Sequence, residues 1–198
     1  MITLNNLLIG YKQPLMKPLN IVFDDGKIYG ILGQSGCGKS TLLKTIAQMH
    51  RPISGEVIRN DNNQIYMMHQ RYTNFDWLSC LDNVLIAERN KRKRKQSVDR
   101  AKEVLQQVGL GDYLDRYPKE LSGGMQQRLA LARVLFVKPQ YLLMDEPLSA
   151  LDDATREKMQ QLIMDIHNET CNTIIMVTHS VDEANKMCDQ IITLTKEN

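Results

Sequence analysis

Three short segments of this 198-residue chain carry residue types whose order suits phosphate chemistry. Gly33-Gln34-Ser35-Gly36-Cys37-Gly38-Lys39-Ser40 fits G-x-x-x-x-G-K-[ST]. The glycines let such a loop fold with successive backbone N–H groups facing one point, and a helix starting there adds its positive dipole end. Gln34, Ser35, Gly36, Cys37 and Thr41 would line the cradle, Lys39 would reach the β- and γ-phosphates of a nucleotide, and the Ser40 hydroxyl would ligate Mg²⁺. Downstream, Tyr141-Leu-Leu-Met-Asp145-Glu146-Pro147 is an apolar run ending in two acids. An α/β sheet binds its ligand at the carboxyl ends of its strands, so Asp145 can hold the Mg²⁺ shell and Glu146 can polarise a water for attack on the γ-phosphate. An apolar run ending in Asp-Glu is by itself an ordinary strand end; the phosphate loop upstream gives it meaning. The third segment, Leu121-Ser122-Gly123-Gly124-Met125-Gln126-Gln127-Arg128, reads as a helix start capped by Ser122 and receptive to anions. One loop already supplies a nucleotide site, so a second needs another target, unless it is merely a capped helix with a flexible entry.

Positioning these groups requires strands that end at the loops and helices that begin there. The runs 27–33, 64–68, 141–145, 173–178 and 190–195 read as strands. The nearly continuous apolar character of 141–144 and 173–177 suits central strands covered on both faces. Leu42, Leu43 and Ile46 lie on one helical face, and Met159, Leu162, Ile163 and Ile166 follow the i, i+3, i+4, i+7 pattern. Ser180 and Glu183 form the sequence signature of a capping box before Ala184 and Met187. Strand–helix alternation at both ends predicts a parallel α/β sheet. The middle, about 71–137, lacks strand patterns. It holds the basic run 91–95, an amphipathic pattern through Val98, Ala101, Leu105 and Val108, and a second long helix from Gln126 to Val137. It reads as a helical subdomain inserted in an α/β core of about 1–70 and 138–198.

The bulk numbers exclude several classes. Lys and Arg total 25 against 23 Asp and Glu, a net charge of +2, too even to argue for a nucleic-acid or membrane-surface protein. No apolar run reaches the roughly 18–20 residues that span a bilayer, and the N-terminus lacks a secretory layout. The four cysteines, Cys37, Cys80, Cys171 and Cys188, have no C-x-x-C spacing and suggest neither a disulfide framework nor a zinc site.

With the phosphate loop, the acid pair and Leu121–Arg128 together, the chain resembles the ATPase subunits of ATP-binding cassette (ABC) transporters over essentially its whole length. Leu121–Arg128 is similar to that family's signature motif. The resemblance implies a P-loop NTPase (RecA-like) core with a parallel central sheet, a small antiparallel β part and an inserted helical subdomain. It implies a single ATPase domain that binds and hydrolyses ATP with Mg²⁺ and energises a separate membrane permease. Two subunits would pair head to tail, so that Ser122, Gly123, Gly124 and Asp152 act on a nucleotide bound by the other copy. Tyr11 matches the aromatic that stacks on adenine. Gln70 matches a glutamine that contacts Mg²⁺ or the attacking water and senses the permease, while Ser149–Asp152 matches the turn at the dimer seam. His179 matches the switch histidine that contacts the γ-phosphate. Catalysis would then rest on Glu146, His179, Lys39 and Gln70, nucleotide binding on Tyr11 and the loop Gly33–Thr41, and the metal on Ser40, Gln70 and Asp145.

Importers of the nitrate/sulfonate/taurine type carry Pro-Trp-x-x-x-x-x-Asn-Val after the glutamine loop. This chain has Asp76-Trp77 and Asn83-Val84, keeping all but the proline, which points to a small anionic or zwitterionic solute. Phe75 and Trp77 would face the permease, or Trp77 packs inside the helical part; the sequence leaves both open. The resemblance further implies a separate solute-binding protein, a place at the inner face of the cell membrane on its cytoplasmic side, and no nucleic-acid partner. Against that family, the short segment between the phosphate loop and Gln70 and the short stretch after the strand containing Ile191 imply a trimmed antiparallel β-subdomain and no C-terminal regulatory domain. The alternative is a soluble ABC-type ATPase working on nucleic acid or the ribosome, but the long coiled coil or second cassette of such proteins is not in this sequence. The basic run reads as a solvated helical face. Cys37, near Lys39 and a helix start, is a candidate for a reactive thiol, or simply a small residue that fits.

Overall fold

The computed structural model describes residues 1–59, 64–69, 74–87 and 94–195, the side chains of 94–96 excepted. The glutamine Gln70 and most of the basic run 91–95 lie outside the described residues. The chain divides into two compact units. Met1–Met67, Pro139–Pro147 and Met164–Asn198 form the first, and Met68–Lys138 with Leu148–Ile163 form the second.

The first unit contains two sheets. β1 (Ile2–Leu8), β2 (Leu19–Phe23) and β4 (Ser54–Arg59) make an antiparallel sheet in the order β2-β1-β4. β3 (Ile28–Gly33), β5 (Ile65–Met68), β6 (Tyr141–Asp145), β7 (Thr173–Val177) and β8 (Gln190–Leu194) make the larger sheet in the order β5-β6-β7-β3-β8. Its pairs β6–β7, β7–β3 and β3–β8 are parallel. Every residue of β6 and β7 is buried, as expected of strands whose near-continuous apolar sequence is covered on both faces. Register then decides where the chemistry goes. Asp145 pairs with Val177 and Val177 with Ile31, so β6, β7 and β3 end together on one edge. Each of those ends leads into a segment singled out above.

α1 (Lys39–Ile46) follows β3 directly. Its Leu42, Leu43 and Ile46 are fully buried in one core with Ile31, Leu143, Ile175 and Val177, each contributing on the order of 1.5–3 kcal/mol. α6 (Val181–Met187) is capped by the Ser180 hydroxyl, which accepts the Glu183 N–H at 3.1 Å. The reciprocal half of the expected box is absent. The Ser180 N–H goes to Thr178 Oγ1 at 3.1 Å, and the Thr178 hydroxyl in turn donates to the buried Glu183 carboxylate. Thr178 supplies both an acceptor and a donor at that corner, so Glu183 is drawn to it instead.

The second unit is helical: α2 (Cys80–Leu85), α3 (Arg94–Gln107), α4 (Gly123–Val137) and the first part of α5 (Asp153–Thr170), with 3₁₀ turns at Gly111–Tyr113 and Pro118–Glu120. No strand lies between residues 74 and 138 among the described residues. Arg128 on α4 donates through Nη1 to the Val108 and Gly109 carbonyls at 2.9 and 3.1 Å, satisfying acceptors that the end of α3 leaves open. α5 begins earlier than its apolar pattern suggests, because the Asp152 carboxylate accepts the Thr155 N–H at 3.0 Å and starts the helix.

Candidate functional site

In the first unit the phosphate loop leaves β3 at Gly33 and enters α1 at Lys39. Gly38 sits at φ +102°, a conformation that side-chain-bearing residues rarely adopt, and its carbonyl already accepts the Leu42 N–H at 2.8 Å. Within the loop the Cys37 N–H reaches the Gln34 carbonyl at 3.3 Å. Lys39 is only 5% exposed, and its ammonium donates to the Gly33 and Gln34 carbonyls at 2.7 and 3.0 Å. The cation is thus folded into the bend of its own loop, where backbone oxygens satisfy it. Ser40 follows at the second helical position, and Thr41 is buried.

Asp145 ends β6, 3% exposed. Glu146 follows with its N–H on the Val177 carbonyl at 3.0 Å, one step beyond the β6–β7 ladder. Its backbone is left-handed, φ +52°, which costs a side-chain-bearing residue about 1–2 kcal/mol. Strain of this kind persists where the surroundings over-determine it; here Pro147 follows and the β7 ladder holds the Glu146 amide. The result is a carboxylate aimed at the next strand end. Glu146 Oε1 meets His179 Nε2, with the Glu146 side chain 13% and the His179 side chain 50% exposed. His179 itself lies between Thr178 and Ser180, the two residues pinned by the Thr178–Glu183 pair. Phosphate loop, acid pair and histidine therefore occupy one edge of one sheet, within one unit.

Tyr11 sits beyond the end of β1, 67% exposed. Cys37 is fully buried, so a reagent cannot reach its thiol while the loop keeps this shape.

The second unit carries the rest. Ser122 caps α4, its hydroxyl accepting the Met125 N–H at 3.3 Å. An added Cβ at Gly123 would meet nothing within 4 Å, whereas at Gly124 it would lie 3.3 Å from the Ala150 carbonyl oxygen. The exposed Asp152 carboxyl is held below its usual range, mainly by the Thr155 N–H. Asn83, fully buried, was noted in sequence only as part of a pattern. Its side chain accepts the Phe75 N–H at 2.8 Å and donates to the carbonyls of Phe75, Leu78 and Ser79 at 2.9–3.0 Å. That cage holds Trp77 outward at 72% exposure, against the Phe75 ring. The reading in which Trp77 packs inside the helical part is overturned, because Asn83 rather than an apolar pocket organises its loop.

Residues 16–149 match the ABC transporter family profile. The chain belongs to the ABC transporter family. It is an ATPase cassette of that family, with the P-loop NTPase fold expected from its sequence. It is 41% identical over 192 residues to the taurine import ATP-binding protein of Ruegeria pomeroyi, covering 93% of this chain and 72% of that one. To the aliphatic sulfonates import ATP-binding protein of Zymomonas mobilis it is 39% identical over 188 residues, covering 92% and 76%. In structure it is similar to a dimeric ATP-binding cassette captured after hydrolysis with ADP and phosphate: TM-score 0.86, 30% identity, all of this chain and 97% of that one. No helix among the described residues is long and apolar enough to cross a membrane.

Proposed function

We propose that two copies of this chain, arranged head to tail, hydrolyse ATP and thereby drive import of a small anionic or zwitterionic solute of the taurine and sulfonate class. The solute passes through a separate membrane permease, to which a separate solute-binding protein delivers it. The cassette works at the cytoplasmic side of the inner membrane face. The names of the relatives support the solute class, and the outward Trp77, with exposed Ile86, Tyr113 and Tyr117 in the same unit, supports a docking role for the helical part.

The observation that carries the chemistry is the Glu146–His179 contact beside Asp145 on the edge where β3, β6 and β7 end. Glu146 orients a water and takes its proton at a carboxylate oxygen as the water oxygen attacks the γ-phosphorus. The bond from that phosphorus to the β,γ-bridging oxygen breaks, so that ADP leaves with the bridging oxygen and inorganic phosphate is released. His179 Nε2 exchanges its hold on Glu146 for the γ-phosphate, and Lys39 leaves its two carbonyl partners for the β- and γ-phosphates. Ser122 and Gly124 of the other copy close over the same phosphate. These roles are positioning and charge stabilisation, without a covalent intermediate. Ser40 and Asp145 are hard oxygen donors of the kind Mg²⁺ prefers; together with Gln70 they would hold the ion, which would neutralise phosphate charge.

Reconstitution with the permease in liposomes tests the reading. ATPase activity should rise when taurine or a short alkylsulfonate is supplied with the solute-binding protein, and the solute should accumulate only in vesicles whose lumen holds the cassette and ATP. Stimulation by a cationic or sugar solute instead would overturn the solute class, and turnover unaffected by the permease would overturn the coupling.

A further inference from the structure

Tyr11 is presented by a short loop whose base is tied three ways. Gly10 and Pro14 form an antiparallel bridge, the Leu15 N–H reaches the Ile9 carbonyl at 3.0 Å, and the Ile53 N–H reaches the Leu8 carbonyl at 2.8 Å. A fourth tie comes from His50. Its Nε2 lies 2.8 Å from the Gly10 carbonyl oxygen, and its ring centroid lies 4.8 Å from that of Tyr11 at 52°. A carbonyl only accepts, so Nε2 donates, a bond that the Nε2–H tautomer and the imidazolium both make. One side chain thus fixes the backbone under Tyr11 and packs against its ring.

His50 also belongs to the turn that ends α1. The N–H groups of Met49 and His50 return to the Lys44 carbonyl at 2.8 and 3.2 Å. The other end of α1 is the phosphate loop. Eight residues at 1.5 Å each make α1 about 12 Å long, and that rigid length separates the Lys39 end from the His50 end. No role assigned above uses His50.

We propose that His50 is a positioning residue for the nucleobase, holding the Tyr11 ring at a fixed offset from the phosphate loop. The proposal rests on reading Tyr11 as the base platform. Binding of Mg·ATP and of inorganic tripolyphosphate, which has no base, separates the possibilities. His50→Ala should weaken ATP binding roughly three- to tenfold, the scale of a partly lost aromatic contact, and leave tripolyphosphate binding as it was. Tyr11→Ala should weaken ATP binding at least as much, and adding His50→Ala to it should change nothing further. If Tyr11→Ala weakens ATP binding and His50→Ala does not, His50 is idle and the proposal falls alone. Equal loss of both ligands in His50→Ala would make it a prop for the phosphate loop and overturn the proposal. No effect of Tyr11→Ala would overturn the base-platform reading, and the proposal with it.

Discussion

The Gln127 side-chain oxygen accepts the Ala150 N–H at 3.1 Å, tying the first turns of α4 to the turn Ser149–Asp152 within one unit. Gly124 packs against the same residue, and Arg156 Nη2 donates to the Leu151 carbonyl at 2.5 Å. The two segments that the family resemblance assigns to the dimer seam therefore form one piece: when Ser122 moves, Asp152 goes with it.

Gln127→Leu fills a similar volume but leaves the Ala150 N–H without this acceptor. Denaturant unfolding should show a loss of about 1–3 kcal/mol, with ATPase activity lowered as well. Wild-type stability and activity together would remove the tie from the account.

Glu146→Gln keeps the size and most hydrogen bonding of the side chain but not its basicity. ATP binding should persist while hydrolysis falls roughly 10²–10⁴-fold, and an ATP-bound dimer should accumulate on gel filtration. Near-normal turnover would strip Glu146 of its role.

Thr178 holds the corner around His179 through its hydroxyl. Thr178→Val should cut kcat roughly ten- to a hundredfold, and Thr178→Ser should restore it. If the effect runs through His179, the Thr178→Val substitution should add nothing in a His179→Ala background. Multiplicative losses in the double variant would make Thr178 a structural residue only.

The thiols should sort by burial. Burial pushes Cys188 up to about 12 and Cys80 up to about 11, with nearby carboxylates adding to both. At pH 8 almost no thiolate is present at either, and thiolate is the reactive form. Cys171 is exposed and Cys37 fully buried. Maleimide on the folded protein should label Cys171 alone, and the other three should react on unfolding. Labelling of Cys37 at the rate of Cys171 would mean that the phosphate loop opens readily.

The large sheet was legible because β6 is apolar up to Asp145 and β7 is apolar from Ile174 onward, a pattern that survives without knowledge of partners. The antiparallel strands were harder. β1 alternates only as far as Leu4; its pairing shifts register between Leu4 and Leu7, where Asn6 takes φ +45°. The phosphate loop, acid pair and α4 start were legible from spacing, since each function demands fixed residue types close in sequence. The contacts of His50, Thr178, Glu183 and Gln127 were not legible, because each acts through a neighbour that only the fold supplies. For Thr178 and Glu183 the Ser-x-x-Glu pattern even suggested a different hydrogen bond.

The central claim is that each copy completes the other's pocket, and mixing two dead variants tests it most directly. Lys39→Ala removes the phosphate-loop cation, and Ser122→Arg blocks the helix start opposite; each alone should be inactive. In a mixed dimer one of the two composite sites is intact, so an equimolar mixture should regain about a quarter of the wild-type ATPase rate if subunits exchange at random. A mixture as dead as its components, or a Ser122→Arg protein that turns over at the full rate by itself, would contradict the account.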